Sequence, residues 1–561
     1  MSGTNYIILI FALFLLSCSG NRRTRDSVSG TKRVQDYSLF PQGTILAGDI
    51  DEEKTFYLVR QDTKAMKGFC LIDNNRAVVD IINFSADSTG KTKFYYDYEY
   101  YYGEMVVDYS GITLTLPEIS ELGIETQTIS LQYFNEIPEE TDCPEYYKDP
   151  VFENITEGKE IQYGTALGYY VSKSTDHISK DNYQQWFEEL KKTFSEHDEF
   201  LNFPTPQELR LDVYQPEISN GYDKRPLLLL LHGGAFFFGD KENKTQQALT
   251  DYFVKRGYVV ASINYRLGTP ITPGAIKRAI YRCVQDTRAA VHFLVHDEKY
   301  GIDAEQIYLA GSSAGGFISL TTAAFMDSRK IYSEVKGNLL RDSLGGLDAT
   351  SDYKDPFEIA GVVSLWGGVT DLKILNKEMP TLLFHGEEDD IVPCDKGLPF
   401  KKNMDKTVGG KILYAALQLC FGEVYGSQQI SQCSIPVTYF SFRNAGHDLH
   451  LDSDNTLNEN MDFICEKMNE FLYNNVSKHY FNCNLVGDTI VKKHYSAPVY
   501  ELSNVRSASV QWHVDGGFIT KQTNDAIRVL WYNGYETGTV TACITNQNDV
   551  SCKKELKVKI I

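Results

Sequence analysis

Three textures of apolar and polar residues follow one another along this chain. From 36 to 172, short alternating runs recur between turn residues, as in Thr55-Phe-Tyr-Leu-Val59, Ala77-Val-Val-Asp-Ile-Ile82 and Ile112-Thr-Leu-Thr-Leu116. Alternation turns one face of each run to a core and the other to water, which predicts an antiparallel N-terminal β domain. Trp186, Phe187, Leu190 and Phe194 then recur at helical spacing and predict a linking helix over 182–200. After a clean alternating strand at 208–214, continuous apolar runs take over at 227–231, 259–263, 307–310, 359–365, 381–384 and 437–442. A strand apolar on both faces needs cover on both, which a parallel sheet with crossover helices supplies. One such helix is predicted over 276–295, where Ile276, Ile280, Val284, Val291, Leu294 and Val295 recur mostly at three- and four-residue steps. The expected fold class is therefore α/β, with a doubly wound sheet over 173–478. Short strands return over 479–561 and predict a C-terminal β-sandwich.

The head of the chain adds an element of another kind. Tyr6 to Leu16 is uninterruptedly apolar, too short to span a bilayer, and gives way to polar residues after Ser17-Cys18. This predicts a secretory signal peptide over 1–18, followed by a polar, basic tether over 19–35. Leu15-Leu16-Ser17-Cys18 resembles a bacterial lipobox, although Met1 to Tyr6 holds no Lys or Arg. The resemblance implies an acylated Cys18 and export to a bacterial membrane, periplasmic or at the cell surface. Assigning Cys18 to lipid leaves an even number of the 11 cysteines, some free to oxidise in such a compartment. The expected pairing is Cys543 with Cys483 or Cys552; Cys283, inside the predicted helix, reads as a buried thiol. A formal net charge of -20 argues against nucleic acid and anionic lipid as partners.

Candidate chemistry gathers where the continuous runs end. The run at 307–310 leads into Gly311-Ser312-Ser313-Ala314-Gly315 and then into an apolar helical stretch, so Ser313 would sit on a tight strand-to-helix turn as a nucleophile. The run at 227–231 leads into His232-Gly233-Gly234-Ala235, where adjacent glycines let backbone N-H groups face an oxyanion. Gly233, Gly234 and Ala314 are the expected donors. The run at 381–384 precedes His385-Gly-Glu-Glu-Asp389-Asp390-Ile-Val-Pro393, and the run at 437–442 precedes Gly446-His447. Nucleophile, acid and base thus follow in the order of an α/β-hydrolase triad. His450 is a rival to His447, while His232 and His385 read as structural. No metal-ligand spacing and no phosphate-binding loop appears, and no cofactor is expected.

Taken together, His232-Gly-Gly-Ala, Gly311-Ser-Ser-Ala-Gly-Gly, His385-Gly-x-x-Asp-x-x-Val-Pro393 and Gly446-His447 resemble the carboxylesterase-like α/β-hydrolases, the group of hormone-sensitive-lipase-like, feruloyl and acetyl-xylan esterases. The resemblance covers about 209 to 478 and implies serine ester hydrolysis through an acyl-enzyme, with Asp389 as the acid and Asp390 as its neighbour and rival. It points to a small-molecule or carbohydrate ester with a short acyl or aromatic-acid group. The segments 328–358 and 401–432 are candidate walls of the acyl site. The same triad order would serve a serine peptidase, and an inert hydrolase domain on a surface binding protein is a third reading. The C-terminal strands resemble PKD-like or immunoglobulin-like modules and read as a spacer. The aromatic run from Phe94 to Tyr102 reads as a β strand with one packed and one hydrated face, or as a platform for sugar rings.

Overall fold

A computed structural model describes residues 45–51, 54–60, 66–72, 75–79, 91–96, 99–108, 111–120, 123–135, 143, 145–168, 205–217, 224–269, 272–326, 344–401, 408–491, 497–505, 508–531, 536–546 and 551–561 of the 561-residue chain. The expected signal peptide, Cys18, the tether and the linking helix lie outside the described residues. The chain divides into two compact units: one of residues up to Cys143 with 483–547 and 553–561, the other of residues 144–482 and 548–552.

Among its described residues, the first unit is built of β strands. Its N-terminal part contains β1 Ile45–Asp49, β2 Lys54–Arg60, β3 Met66–Ile72, β4 Asn75–Val79, β5 Lys91–Tyr96, β6 Glu99–Asp108, β7 Gly111–Leu116 and β8 Gln127–Asn135, paired antiparallel in the order β4-β3-β2-β1-β8-β7-β6-β5. The alternation expected of it is visible in Leu114 with Leu116 and Ile129 with Leu131, which point inward, whereas β2 buries Phe56, Tyr57 and Leu58 in succession. The aromatic run is not one strand. It falls on β5 and β6, paired with Tyr95 opposite Tyr100, and leaves Tyr100 and Tyr102 exposed on β6.

The C-terminal residues of this unit lie in two further sheets of four strands each. One sets 499–502, 526–531 and 517–522 side by side; the other sets 551–560, 537–545 and 509–515 side by side. Cys543 is bonded to Cys143, not to Cys483 or Cys552 as expected, across a sequence separation of 400. A disulfide needs Cα atoms at bonding range, and those of Cys143 and Cys543 stand 5.8 Å apart.

The second unit is built on one eight-stranded sheet. Its strands are β9 Ile155–Gly168, β10 Thr205–Pro216, β11 Arg225–Leu231, β12 Val259–Ile263, β13 Ile302–Ser312, β14 Ile359–Leu365, β16 Thr381–Gly386 and β19 Val437–Phe442, in the order β19-β16-β14-β13-β11-β12-β10-β9. Short pieces β15 Gly368–Val369, β17 Lys396–Gly397 and β18 Val424–Gly426 form a separate ribbon. From β12 to β19 every pairing is parallel, while β9 and β10 run antiparallel at one edge. The helices that bear on the site are α1 Lys244–Val254, α2 Ile276–His296, α3 Ala314–Ala324, α4 Val408–Phe421, α5 Ser427–Ser431 and α6 Glu459–Tyr480. All of β11 is buried, so each of its five leucines contributes roughly 1.5–3 kcal/mol by leaving water. β9 corrects the expected boundary at 172. It alternates as a half-exposed edge strand does, and alternation cannot tell such a strand from one in a separate β domain.

Candidate active site

The turn between β13 and α3 holds Ser313 at φ 52°, ψ −115°, a conformation side chains rarely adopt. Two glycines make it possible. A Cβ on Gly311 would lie 2.3 Å from the Gly315 backbone, and one on Gly315 would lie 2.0 Å from the carbonyl oxygen of Leu231. The Ser313 amide is fixed by the carbonyl of Leu365 at 2.8 Å, at the end of the neighbouring strand β14. Strain at this point is therefore held by backbone on three sides.

The loop after β11 lies against this turn, since a Cβ on Gly233 would stand 3.3 Å from the Ser313 Cβ. Gly234 takes φ 119°, and Ala235 and Phe236 follow in the left-handed region. Gly234 O accepts from the amides of Phe237 and Phe238 at 2.9 and 3.0 Å, which closes the loop on itself. His232 beneath it stacks on Tyr265 at 4.3 Å, and the Tyr265 hydroxyl donates to the His232 carbonyl at 2.7 Å. Phe236 continues from the loop into ring contact with Phe317 of α3 and Phe421 of α4, and Phe400 packs on Phe421; all four are buried.

The loops after β16 and β19 meet in the same way. Glu387 N donates to Phe442 O and Glu388 N to Ala445 O, both at 3.0 Å, and a Cβ on Gly386 would stand 2.3 Å from Ala445 O. This close approach brings Asp389 and His447 together. His447 Nδ1 donates to Asp389 Oδ2 at 2.7 Å, and Nε2 accepts from the Ser313 hydroxyl at 2.8 Å. Asp389 Oδ1 also accepts from the amides of Ile391 and Val392 at 2.8 Å each. Burial opposes the charge of Asp389, yet His447 and His385 beside it hold its carboxyl well below the usual carboxylate range. Burial acts to lower the pKa of His447, but the Asp389 carboxylate, with Asp448 beside it, raises it above the ordinary imidazole value. The arrangement can take a proton from Ser313 into a ring held by a charged acceptor.

The rivals sit elsewhere. It is Asp389, not Asp390, that bonds the imidazole, and His450 is stacked on Trp366 with its Nε2 at 2.7 Å from the Thr245 hydroxyl. Of the segments expected as acyl-site walls, 401–432 holds α4, whose Phe421 meets Phe236, whereas the described part of 328–358 is anchored on α2. There Gln285 donates to the carbonyls of Leu344 and Gly346, and Arg288 pairs with Asp348. His385 bonds neighbouring loops as expected, through the Val392 carbonyl and the Ser427 hydroxyl, and its Nε2 also stands 3.1 Å from Asp389 Oδ2.

A sheet of this order, with a strained serine after its fifth strand and an Asp-His pair after its seventh and eighth, defines an α/β-hydrolase domain. Residues 211–379 match the family described as BD-FAE. A probable isoprenylcysteine alpha-carbonyl methylesterase of Arabidopsis thaliana is 25% identical over 238 residues, which is 36% of this chain and 47% of that protein. An acetyl esterase of Salmonella schwarzengrund is 28% identical over 132 residues, 23% of this chain and 36% of that enzyme. The chain thus spans about half the length, or less, of these curated relatives. The solved structure of Thermogutta terrifontis esterase 2 phosphonylated by cyclosarin is similar at 17% identity and a TM-score of 0.33, over 48% of this chain and 89% of that one. The second unit thus has the sheet order and site geometry of an α/β-hydrolase fold, and its residues 211–379 are similar to the BD-FAE family.

Proposed function

We propose that this chain is an exported serine esterase that cleaves carboxylic esters bearing a short acyl or aromatic-acid group, on a small alcohol or a carbohydrate. The observation that carries the reading is the unbroken hydrogen-bonded path Ser313–His447–Asp389, at 2.8 and 2.7 Å, ending on a serine in strained backbone. Ser313 Oγ attacks the ester carbonyl as its proton passes to His447 Nε2, and the amides of Gly233, Gly234 and Ala314 hold the oxyanion. The same proton then leaves with the alcohol. Water, deprotonated by His447, releases the acid and restores the hydroxyl.

The phenyl rings of Phe236, Phe317, Phe400 and Phe421 fill the space beside the Gly-Gly loop, which favours a small or flat acyl group. Relatives named as a methylesterase and an acetyl esterase point the same way. Export and lipidation at Cys18 are supported by the apolar segment ending there and by the Cys143–Cys543 bond, a bond typical of oxidising compartments. The C-terminal strands act as a PKD-like or immunoglobulin-like spacer. A fluorophosphonate probe and p-nitrophenyl acetate, butyrate and octanoate test the central reading on the full chain. Labelling and acetate turnover that vanish in Ser313→Ala are expected; an unlabelled, inactive wild type would sink it.

A further inference from the structure

We propose that His385 is a positioning residue of the triad, holding the Asp389 carboxylate ionised and aimed at His447. The inference rests on the reading of Ser313, His447 and Asp389 as a triad. Two imidazoles converge on one oxygen: Asp389 Oδ2 lies 2.7 Å from His447 Nδ1 and 3.1 Å from His385 Nε2, while Oδ1 is occupied by the amides of Ile391 and Val392. Four N-H groups thus face the carboxylate, of which His385 Nε2–H, shared with the Val392 carbonyl, is the one that belongs neither to its own turn nor to the proton path from Ser313.

The ring is placed for this task. His385 is fully buried, its Nε2 faces the Val392 carbonyl at 3.0 Å as well as Asp389, and its Nδ1 lies 2.9 Å from the hydroxyl of Ser427, itself fully buried. Both partners of Nε2 can only accept, so Nε2 carries the proton that faces them, and the Ser427 hydroxyl can turn to donate to Nδ1. Ser427 opens α5 directly after β18, so a single ring ties the acid loop to that segment.

Sharing Oδ2 has a chemical consequence. With His385 donating, Asp389 divides its negative charge between two imidazoles; without it, the whole of that charge falls on His447 and makes it more basic. The carboxylate also loses the donor that keeps Oδ2 from swinging away from Nδ1. The other titratable groups around the pair are Asp448, which acts on His447, and the Cys394 thiol, which Asp389 itself acts on.

Three variants of the full chain separate this role from mere packing. His385→Phe keeps a ring and removes both nitrogens, His385→Gln places an amide N-H at the reach of Nε2, and Ser427→Ala frees the ring's other side. Each is read by the pH profile of kcat/KM on p-nitrophenyl acetate and by the low-field proton resonance of the His447–Asp389 bond. His385→Phe is expected to lower kcat about 10-fold, the size of one hydrogen bond to a charged group, with KM changed less than about 2-fold. It should also move the acid limb of the profile to higher pH. His385→Gln should recover most of both, and Ser427→Ala should shift the limb the same way by less. If His385→Phe does not fold, Ser427→Ala must still shift limb and resonance. Wild-type limb and resonance in the folded variant would overturn the proposal. A wild type that hydrolyses no ester, but whose low-field resonance moves on substitution, would keep the positioning role and discard the esterase reading; an active wild type with an unmoved resonance would do the reverse.

Discussion

The hydrolase unit and the β unit bury comparable apolar side chains by different means, and the difference decides where chemistry can sit. In the hydrolase unit the strands β11, β12 and β16 are buried along their full length, so their interiors are fixed and reactive groups can appear only where strands end. Those ends are then locked by backbone contacts so close that Gly311, Gly315 and Gly386 admit no side chain. In the β unit, strands such as Gly111–Leu116 and Gln127–Asn135 alternate buried with partly or fully exposed residues. Such strands need less cover, and the covalent bond Cys143–Cys543 supplies part of the restraint. Its exposed large apolar side chains include Tyr100 and Tyr102.

The comparison predicts that damage to each unit has a separate signature. Ser313→Ala should cost about 10⁴ to 10⁶ in kcat with no change in Tm, because the strain lies in the backbone and not in the hydroxyl. Asp389→Asn should cost about 10⁴ by presenting the wrong tautomer of His447, while Asp390→Asn stays within about 2-fold. Steady-state kinetics on p-nitrophenyl acetate check both. A large loss in Asp390→Asn would break the assignment. Gly315→Ala drives a methyl to 2.0 Å from Leu231 O, so about 4 kcal/mol or more of stability should be lost from the hydrolase unit, seen by calorimetry as a lowered transition accompanied by loss of turnover. Cys143→Ser should cost about 2–5 kcal/mol in the β unit while kcat/KM stays within about 2-fold. Loss of turnover in that variant would mean that the two units are not separable.

Legibility followed the same division. Ser313 and His447 could be read because continuous apolar runs locate strand ends, and a scaffold of this kind places its reactive groups there. The choice of Asp389 over Asp390 is settled by a turn in which Asp389 accepts from the amides two and three residues on, a local geometry that two adjacent acids do not announce. His385 was legible as a loop-bonding histidine, but its approach to Asp389 was not, because a ring bonded to a loop carbonyl and one that also stands beside a carboxylate look alike in sequence. β9 went to the wrong unit because an edge strand alternates like any half-exposed strand. Cys143–Cys543 was missed because contact between residues 400 apart has no sequence signature.

The smallest expected effect separates two histidine–carboxylate pairs within the hydrolase unit. His447 with Asp389 forms the site; His479 with Asp303, at 3.2 Å, joins the end of α6 to β13. The hydrogen bond to Asp303 raises the pKa of His479, and although burial opposes it, that same bond with its neighbours lowers Asp303. A raised imidazole stabilises the fold fully below its unfolded value of about 6.5 and loses that contribution as pH climbs through the folded value. Asp303 does the opposite: its contribution is present above about 3.9 and fades as pH falls through its lowered folded value. Turnover, in contrast, needs His447 neutral, so kcat/KM should rise with pH through the raised folded value of His447, by about tenfold per unit at most. Above about pH 6.5 the enzyme is therefore expected to lose a little Tm while it gains activity. In His479→Gln the alkaline loss of Tm should shrink with the activity limb unmoved; a shifted limb would show that the two pairs titrate together.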